Sequence, residues 1–368
     1  MASLTLRRLR THAVGRTLRA ERELLDAIVQ LGFVQFDPIR APARAADLIL
    51  RHRVRDYRAG DLDRAYPGLP LAEDYVHVYG VVPLSVQQLL HPRMRSVRWR
   101  VERENPRLAA RILEHVTTHG ETHPRDLAST LGRARTTSGW GGQSSATTRV
   151  LEALHHRGHL KVARRVSGIK VYAAAPPPPP PLSATVRARG ILTLLLSLYA
   201  PLSEATFRDL ARMVTESSLS RARRDAAYEH VRTSPEVARA MIDGVTWLLP
   251  ADEVIIAEST DRVRLLAPFD PIVWDRRRFA SLWSWNYRFE AYTPSPKRKL
   301  GYYALPLLWR DDVIGWANVS LIRDTLEVSV GYAKTEPRSL LYRREFALEL
   351  ARLAQFVGAT RIDVEKRT

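Results

Sequence analysis

The sequence predicts an α+β protein, mainly helical, with tandem winged-helix units followed by a β-rich C-terminal region and a closing helix. Three observations lead there. Helical apolar spacing, broken by Gly and Pro, recurs from the N-terminus to about residue 240. A basic two-stranded pattern comes after three helices at 160–173. From Val263 onward the chain turns alternating, aromatic and β-branched.

The elements run in order. "AERELLDAIVQLG" (20–32) spaces its apolar residues as a helix and stops at a glycine. "FVQFD" reads as a short strand ended by Pro38, which has no N–H for a ladder. "ARAADLILRHRVRDY" (43–57) reads as a helix with an Arg-rich face. "PRLAARILEHVTTHG", "ETHPRDLASTLG" and "SATTRVLEALHHRGHL" (145–160) are three helices, the last capped by Ser or Thr. "LKVARRVSGIKVYA" (160–173) gives strand, Ser-Gly turn, strand. That is the winged-helix pattern, whose third helix normally enters the major groove and whose hairpin is the wing. "AAAPPPPPPL" (173–182) is an extended polyproline spacer. "RGILTLLLSLYAPLSEATFRDLARMV", a helix over "SPEVARAMIDG" (234–244) and a strand over "VTWLLP" suggest a second winged-helix-like unit. "PRSLLYRREFALELARLAQFVG" (337–358) is the closing amphipathic helix. The expected segments are therefore 1–104, 105–175, a linker at 176–182, 183–262 and 263–368.

The formal net charge is +18, carried almost wholly by Arg. Such an excess attracts polyanions, and the planar Arg fork suits phosphate, so nucleic acid is the expected partner. Arg164, Arg165 and Lys170 on the wing, with Lys297, Arg298 and Tyr302 in "TPSPKRKLGYY" (293–303), are the first candidate contacts. An ordinary exposed loop is the plain alternative for the latter stretch. The absence of cysteine excludes disulfides, thiolate nucleophiles and Cys-based zinc sites. The N-terminus lacks the apolar core of a secretory signal, and the longest apolar run is too short to span a bilayer, so a cytoplasmic location is expected, with no membrane partner. His115, His119 and His123 are spaced by four, but Gly120 ends their helix, so no metal site is expected. His155, His156 and His159 are expected to face phosphates or solvent.

The stretch "GFVQFDPIR" (32–40) carries the chemistry. Side chains alternate along a strand, so Gln35 and Asp37 are expected to point to the same face. Two readings stand: a polar strand face in which Asp37 caps the segment after Pro38, or a pair that orients one water. A carboxylate beside an amide is what hydrolysis of a sugar C–N bond needs.

"LLAPFDPIVWDRRR" (265–278) with "YRFEAYTPSPKRKLGYYALPLLWRDDVIG" (287–315) resembles the AlkZ/AlkX (YcaQ) family of winged-helix DNA glycosylases. "SGW" at 138–140 is similar to it, as is "VQFDPIRAPAR", with its Gln-apolar-Asp motif and Arg44 seven residues on. "DYVHVYGVVP" (74–83) resembles a segment where some members carry His-Glu; here Val78 follows His77. The resemblance implies a monofunctional enzyme that hydrolyses the N-glycosidic bond of bulky N7-alkylated guanine and unhooks interstrand crosslinks. It implies Gln35 and Asp37 as the catalytic pair, with no cofactor, and adds Arg44, His77 and Trp140 to the DNA-binding candidates. The partner implied is double-stranded DNA carrying alkylated purines or crosslinks, bound by a monomer. Asp in second place resembles the broad-range branch; the Gln-containing branch includes antibiotic self-resistance enzymes. A non-catalytic winged-helix regulator is the competing class, disfavoured because no dimerisation heptad is present.

Overall fold

The computed structural model describes residues 4–18, 22–93, 99–131, 135–137, 143–177, 179–215 and 221–366. The described elements begin with α1 (Leu6–Leu18), α2 (Leu24–Leu31), β1 (Val34–Gln35), α3 (Ala45–Leu50) and α4 (Asp61–Ala65). Next come β2 (Leu71–Tyr75), β3 (Tyr79–Pro83), α5 (Leu84–Leu90), α6 (Arg100–Glu104), α7 (Pro106–His119) and α8 (Pro124–Leu131). Then come β4 (Arg135–Thr137), β5 (Gln143–Ser145), α9 (Ala146–His156), β6 (Leu160–Val166) and β7 (Ile169–Ala174). The chain continues through α10 (Ala184–Tyr199), β8 (Leu202–Ser203), α11 (Glu204–Thr215), α12 (Arg221–Thr233), β9 (Val237–Ile242) and β10 (Val245–Pro250). It ends with β11 (Val263–Leu265), α13 (Arg276–Trp283), β12 (Leu305–Trp309), β13 (Asp312–Ile322), β14 (Thr325–Tyr332), α14 (Leu340–Val357) and β15 (Arg361–Lys366). No helix among the described residues is long and apolar enough to cross a membrane.

Two compact units result. One collects Met1–Leu62, Thr193–Leu210 and Val231–Thr368; the other collects Asp63–Leu192 and Ala211–His230. This grouping differs from five consecutive segments because helices near the N-terminus find their partners in the C-terminal sheet.

In the first unit the sheet runs β11-β12-β13-β14-β15. Its ladders are antiparallel except for the parallel β14–β15 pair. Leu9, Val14 and Leu18 of α1 join Phe279, Leu282 and Trp283 of α13, with Leu308 and Val313 of the sheet, in one core cluster. Ser339 caps α14 by accepting from the Tyr342 N–H, and Gly358 closes it in the left-handed region. The buried Glu349 of α14 accepts from the Leu265 N–H at 2.9 Å and from Arg51 at 2.5 Å. Arg53 meets Asp270 through two hydrogen bonds of 2.7 and 3.0 Å, both side chains being buried. The apolar faces of these elements supply the unit's stability; the ion pairs fix how the elements meet.

In the second unit β2 and β3 form a hairpin, and α7, α8 and α9 precede the hairpin β6–β7. Ser167 and Gly168 both take positive φ at its tip, as the Ser-Gly pair predicts. Ser145 caps α9.

Four local expectations change. The helix expected over 43–57 stops at Leu50, because His52 and Arg53 turn inward to the Leu265 carbonyl and Asp270. The strand expected over "FVQFD" shrinks to Val34–Gln35, so Gln35 and Asp37 do not share a strand face. The helix expected over 234–244 is strand β9, paired with β10 from Ile242↔Val245. Asp243 and Gly244 sit between them with φ of 51° and 73°, the two-residue turn that Asp-Gly favours. The helix α9 has no exposed residue, so it cannot act as a free reading helix, and His155 and His156 are buried rather than solvent-facing.

Removing one partner of a buried ion pair leaves the other charge uncompensated. Asp270→Ala is expected to cost about 3–5 kcal/mol of stability. Denaturant unfolding checks it; a midpoint equal to wild type would show that the pair does not hold the unit together.

Candidate active site

The site is built in the first unit around Asp37. Helix α2 ends at Gly32, whose φ of 69° lets the chain reverse into β1. At this close turn a Cβ would also collide with the Leu194 side chain. Two residues of strand carry Gln35, which is buried with its Oε1 unpartnered among the described residues. Asp37 comes next, half-buried, and its Oδ1 accepts from the Ile39 N–H at 2.9 Å. The capping role expected for Asp37 is thus present, and it occupies one carboxylate oxygen. The other oxygen has no partner among the described residues. Burial pushes the Asp37 carboxyl above the usual Asp value, against the Ile39 hydrogen bond, which lowers it. A carboxylate less well solvated than usual is a better proton acceptor.

Across from Asp37 stands an aromatic wall. Phe289 meets Tyr303 edge-on at 5.4 Å, Tyr292 at 6.0 Å and Phe269 at 5.0 Å. Tyr303 is 2 % exposed, and its hydroxyl is buried without a hydrogen-bond partner among the described residues. Tyr292 is 80 % exposed and offers a ring to solvent. Desolvation, then the Asp37 charge, raise the hydroxyl pKa of both tyrosines. The carboxylate and the two phenols are therefore electrostatic neighbours. Behind them, Arg276 lies 4.6 Å over the Tyr287 ring and donates to the Pro268 carbonyl at 2.9 Å.

The loop after Tyr292 is held from inside. The buried Glu290 carboxylate accepts from the backbone N–H groups of Lys299, Leu300 and Gly301 at 2.9, 2.7 and 3.3 Å. Burial pushes that carboxyl up, but the three donors outweigh it and hold it below its ordinary value. Gly301 has φ of 116°, and a Cβ there would collide with the Asn318 amide. This explains Glu290 and Gly301 within "FEAYTPSPKRKLG" as structural parts of the motif.

The other candidates disperse. In the first unit Lys297 is exposed, whereas Arg298 folds back onto the Thr293 carbonyl at 2.7 Å and over the Tyr302 ring. Tyr302 lies beside the groove below the loop. Arg44 precedes α3 and reaches Asp47 at 3.4 Å. In the second unit Arg165 chelates the buried Glu73 at 2.7 and 2.6 Å, and Lys170 sits 3.8 Å over the Tyr79 ring. Neither points outward as a wing contact should. Arg164 is exposed and pairs with Glu121. His77 sits between β2 and β3, where burial takes its pKa down to about 3 and keeps it neutral. His156 packs against Trp99 and Tyr75, both at 5.3 Å. His115 and His119 stack on each other at 4.2 Å. Trp140 and the rest of "SGW" lie outside the described residues. Sequence reasoning missed Tyr292, Tyr303 and Glu290, and it missed α12, where Arg221 and Arg223 are exposed on a basic helix. The basic run "RARR" (221–224) was the available signal.

If Asp37 acts as a base, it works only when ionised. Excision is expected to fall on acidification through a pKa above the ordinary 3.8, the direction its burial dictates. The linkage has a matching sign. A folded-state carboxyl pKa raised above the unfolded value opposes folding once pH exceeds the latter, so Asp37→Asn should hold or raise the melting temperature at pH 7. A pH–rate profile and a melting curve check both; a marked fall in melting temperature would contradict this account of burial.

Comparison with known proteins places this geometry. The sequence profile described as "DNA glycosylase AlkZ-like" matches residues 28–356. The fold is similar to that of the Streptomyces sahachiroi DNA glycosylase AlkZ, with a TM-score of 0.64 at 15 % identity, over 99 % of this chain and 100 % of that one. The match spans the Gln-apolar-Asp stretch, the aromatic wall and the loop held by Glu290, and the chain belongs to the AlkZ-like DNA glycosylase family.

Proposed function

We propose that the protein excises N7-alkylated guanine, bulky adducts included, from double-stranded DNA and unhooks interstrand crosslinks through the same bond cleavage. The observation that carries this reading is the half-buried Asp37 with one oxygen anchored and the other unengaged, beside an aromatic wall. N7-alkylation makes guanine cationic, so its bond to the sugar is already weak. Asp37 takes a proton from a water whose oxygen attacks C1′. The C1′–N9 bond breaks, its electron pair neutralises the departing base, and an abasic site remains. Gln35 holds the water, its unpartnered Oε1 accepting the second hydrogen. The carboxylate also offsets oxocarbenium charge at the sugar. An enzyme acting on a base must take it out of the stack, and the exposed Tyr292 ring offers it a surface. Asp37 carries no amine and so forms no Schiff base, and the reaction stops at the abasic site. Family membership favours this reading over a non-catalytic regulator.

Asp37→Asn keeps the shape and removes the base. Single-turnover excision of N7-methylguanine should fall by roughly 10²–10⁴, the usual worth of a positioned base. Gln35→Ala should cost less, since the cationic base leaves easily. Normal excision by Asp37→Asn would end the catalytic assignment.

The net charge of +18 predicts binding through phosphates. With about six phosphates neutralised, log K should fall against log salt with a slope of roughly −5. A flat response in a binding titration from low to moderate salt would refute it.

A further inference from the structure

Beside the aromatic wall lies a groove of about 730 Å³, bordered by Arg40, Pro42, Tyr302 and Tyr303 on one side and the β13–β14–β15 face on the other. Strand registers set what that face presents. Asn318, Ser329 and Glu365 form one cross-strand row, and Ser320, Glu327 and Asp363 form the next. Alternation puts both rows on the same side, while Val319 and Val328 point into the core. A polar outer face is ordinary for a sheet with one side buried. This one differs in three ways.

It is concave rather than flat, bordered by Arg40, Pro42, Tyr302 and Tyr303 and open to solvent along its acidic side. It is acidic in a chain that is strongly basic: the lining carries three carboxylates against the one Arg40 guanidinium, a net charge of −2. Glu327, Asp363 and Glu365 make no ion pair among the described residues. Glu327 stands directly opposite Asp363 on the neighbouring strand, about 5 Å away by strand spacing, where like charges repel. The groove also shares a wall with the reacting centre. Tyr303 borders it, is nine-tenths buried and more, and keeps an unpartnered hydroxyl near Asp37.

A carboxylate-lined concavity repels DNA phosphates and attracts cations. What emerges beside Asp37 during the reaction is the alkylated base and whatever its N7 substituent carries. We propose that the groove receives the substituent of the lesion and selects those bearing an aliphatic ammonium group, which Glu327, Asp363 and Glu365 bind. This deepens, and rests on, the reading of Asp37 as the glycosylase base.

The test uses the full chain and three duplexes, carrying N7-methylguanine, an N7-(aminoalkyl)guanine and an N7-(hydroxyalkyl)guanine of equal tail length. Wild type should excise the ammonium-bearing adduct roughly tenfold faster at subsaturating protein than its hydroxyl counterpart, as three weak surface attractions allow. In Glu327→Gln/Asp363→Asn/Glu365→Gln that ratio should collapse to about one. A control triple, Glu236→Gln/Asp252→Asn/Glu258→Gln, removes equal charge from exposed positions outside the groove and should keep the ratio. Asp363→Asn alone should lower the ratio in part, which covers failure of the triple variant to fold. Excision of N7-methylguanine with equal rates for the two tails would overturn the groove assignment and spare the glycosylase. No excision of any of the three would overturn both.

Discussion

The buried guanidinium–carboxylate contact between Arg53 and Asp270 is the constraint on which the site rests. It joins residues 217 positions apart. Arg53 follows α3, and α3 follows the stretch that carries Gln35 and Asp37. Asp270 follows Phe269, which packs on Phe289, which in turn supports Tyr292 and Tyr303. One ion pair thus sets the N-terminal carboxylate against the C-terminal aromatic wall. Such a pair is a poor source of net stability, because desolvation offsets most of its attraction. Its value is orientation: a planar fork accepts a carboxylate in few geometries. Arg51 with Glu349 repeats the device on the neighbouring turn.

Charge is partitioned across this molecule. The basic excess serves the long-range attraction of a polyanion and needs no particular geometry. The carboxylates are placed with more care. Glu290 is used inside, holding three amides of the loop beyond the wall. Glu73 is likewise internal, neutralising Arg165 of the hairpin. Asp37 stands between these cases, anchored by one oxygen and unengaged at the other. A carboxyl held by several donors is a structural part, and one held by a single donor keeps basicity for a water. Asp37 and Glu290 thus differ in how many backbone donors engage them.

Much of this was legible in the sequence, for reasons that differ by residue. Gly32, Ser339 and Gly358 mark helix ends through backbone preferences, so α2 and α14 were readable locally. The Gln-apolar-Asp pair was legible through resemblance rather than spacing, since the strand that spacing needs is two residues long. "VARAM" misled because Ala, Arg and Met favour helices, although Asp243 and Gly244 signal a hairpin. His155 and His156 misled because their partners Tyr75, Tyr79 and Trp99 are distant in the chain. Tyr292 and Tyr303 were beyond local reading for the same reason: only tertiary packing shows that they face Asp37.

The discontinuous make-up of the first unit bears on how the protein is born. The second unit draws most of its length from the single run Asp63–Leu192 and is complete once Ala211–His230 has followed. Arg53 must instead wait for Asp270, 217 residues later. At about 5–20 residues per second that delay is roughly 10–40 s. Throughout it Gln35 and Asp37 exist as sequence without the aromatic wall that Asp37 neighbours in the folded protein. The Gln-apolar-Asp stretch is translated early and meets its aromatic neighbours late.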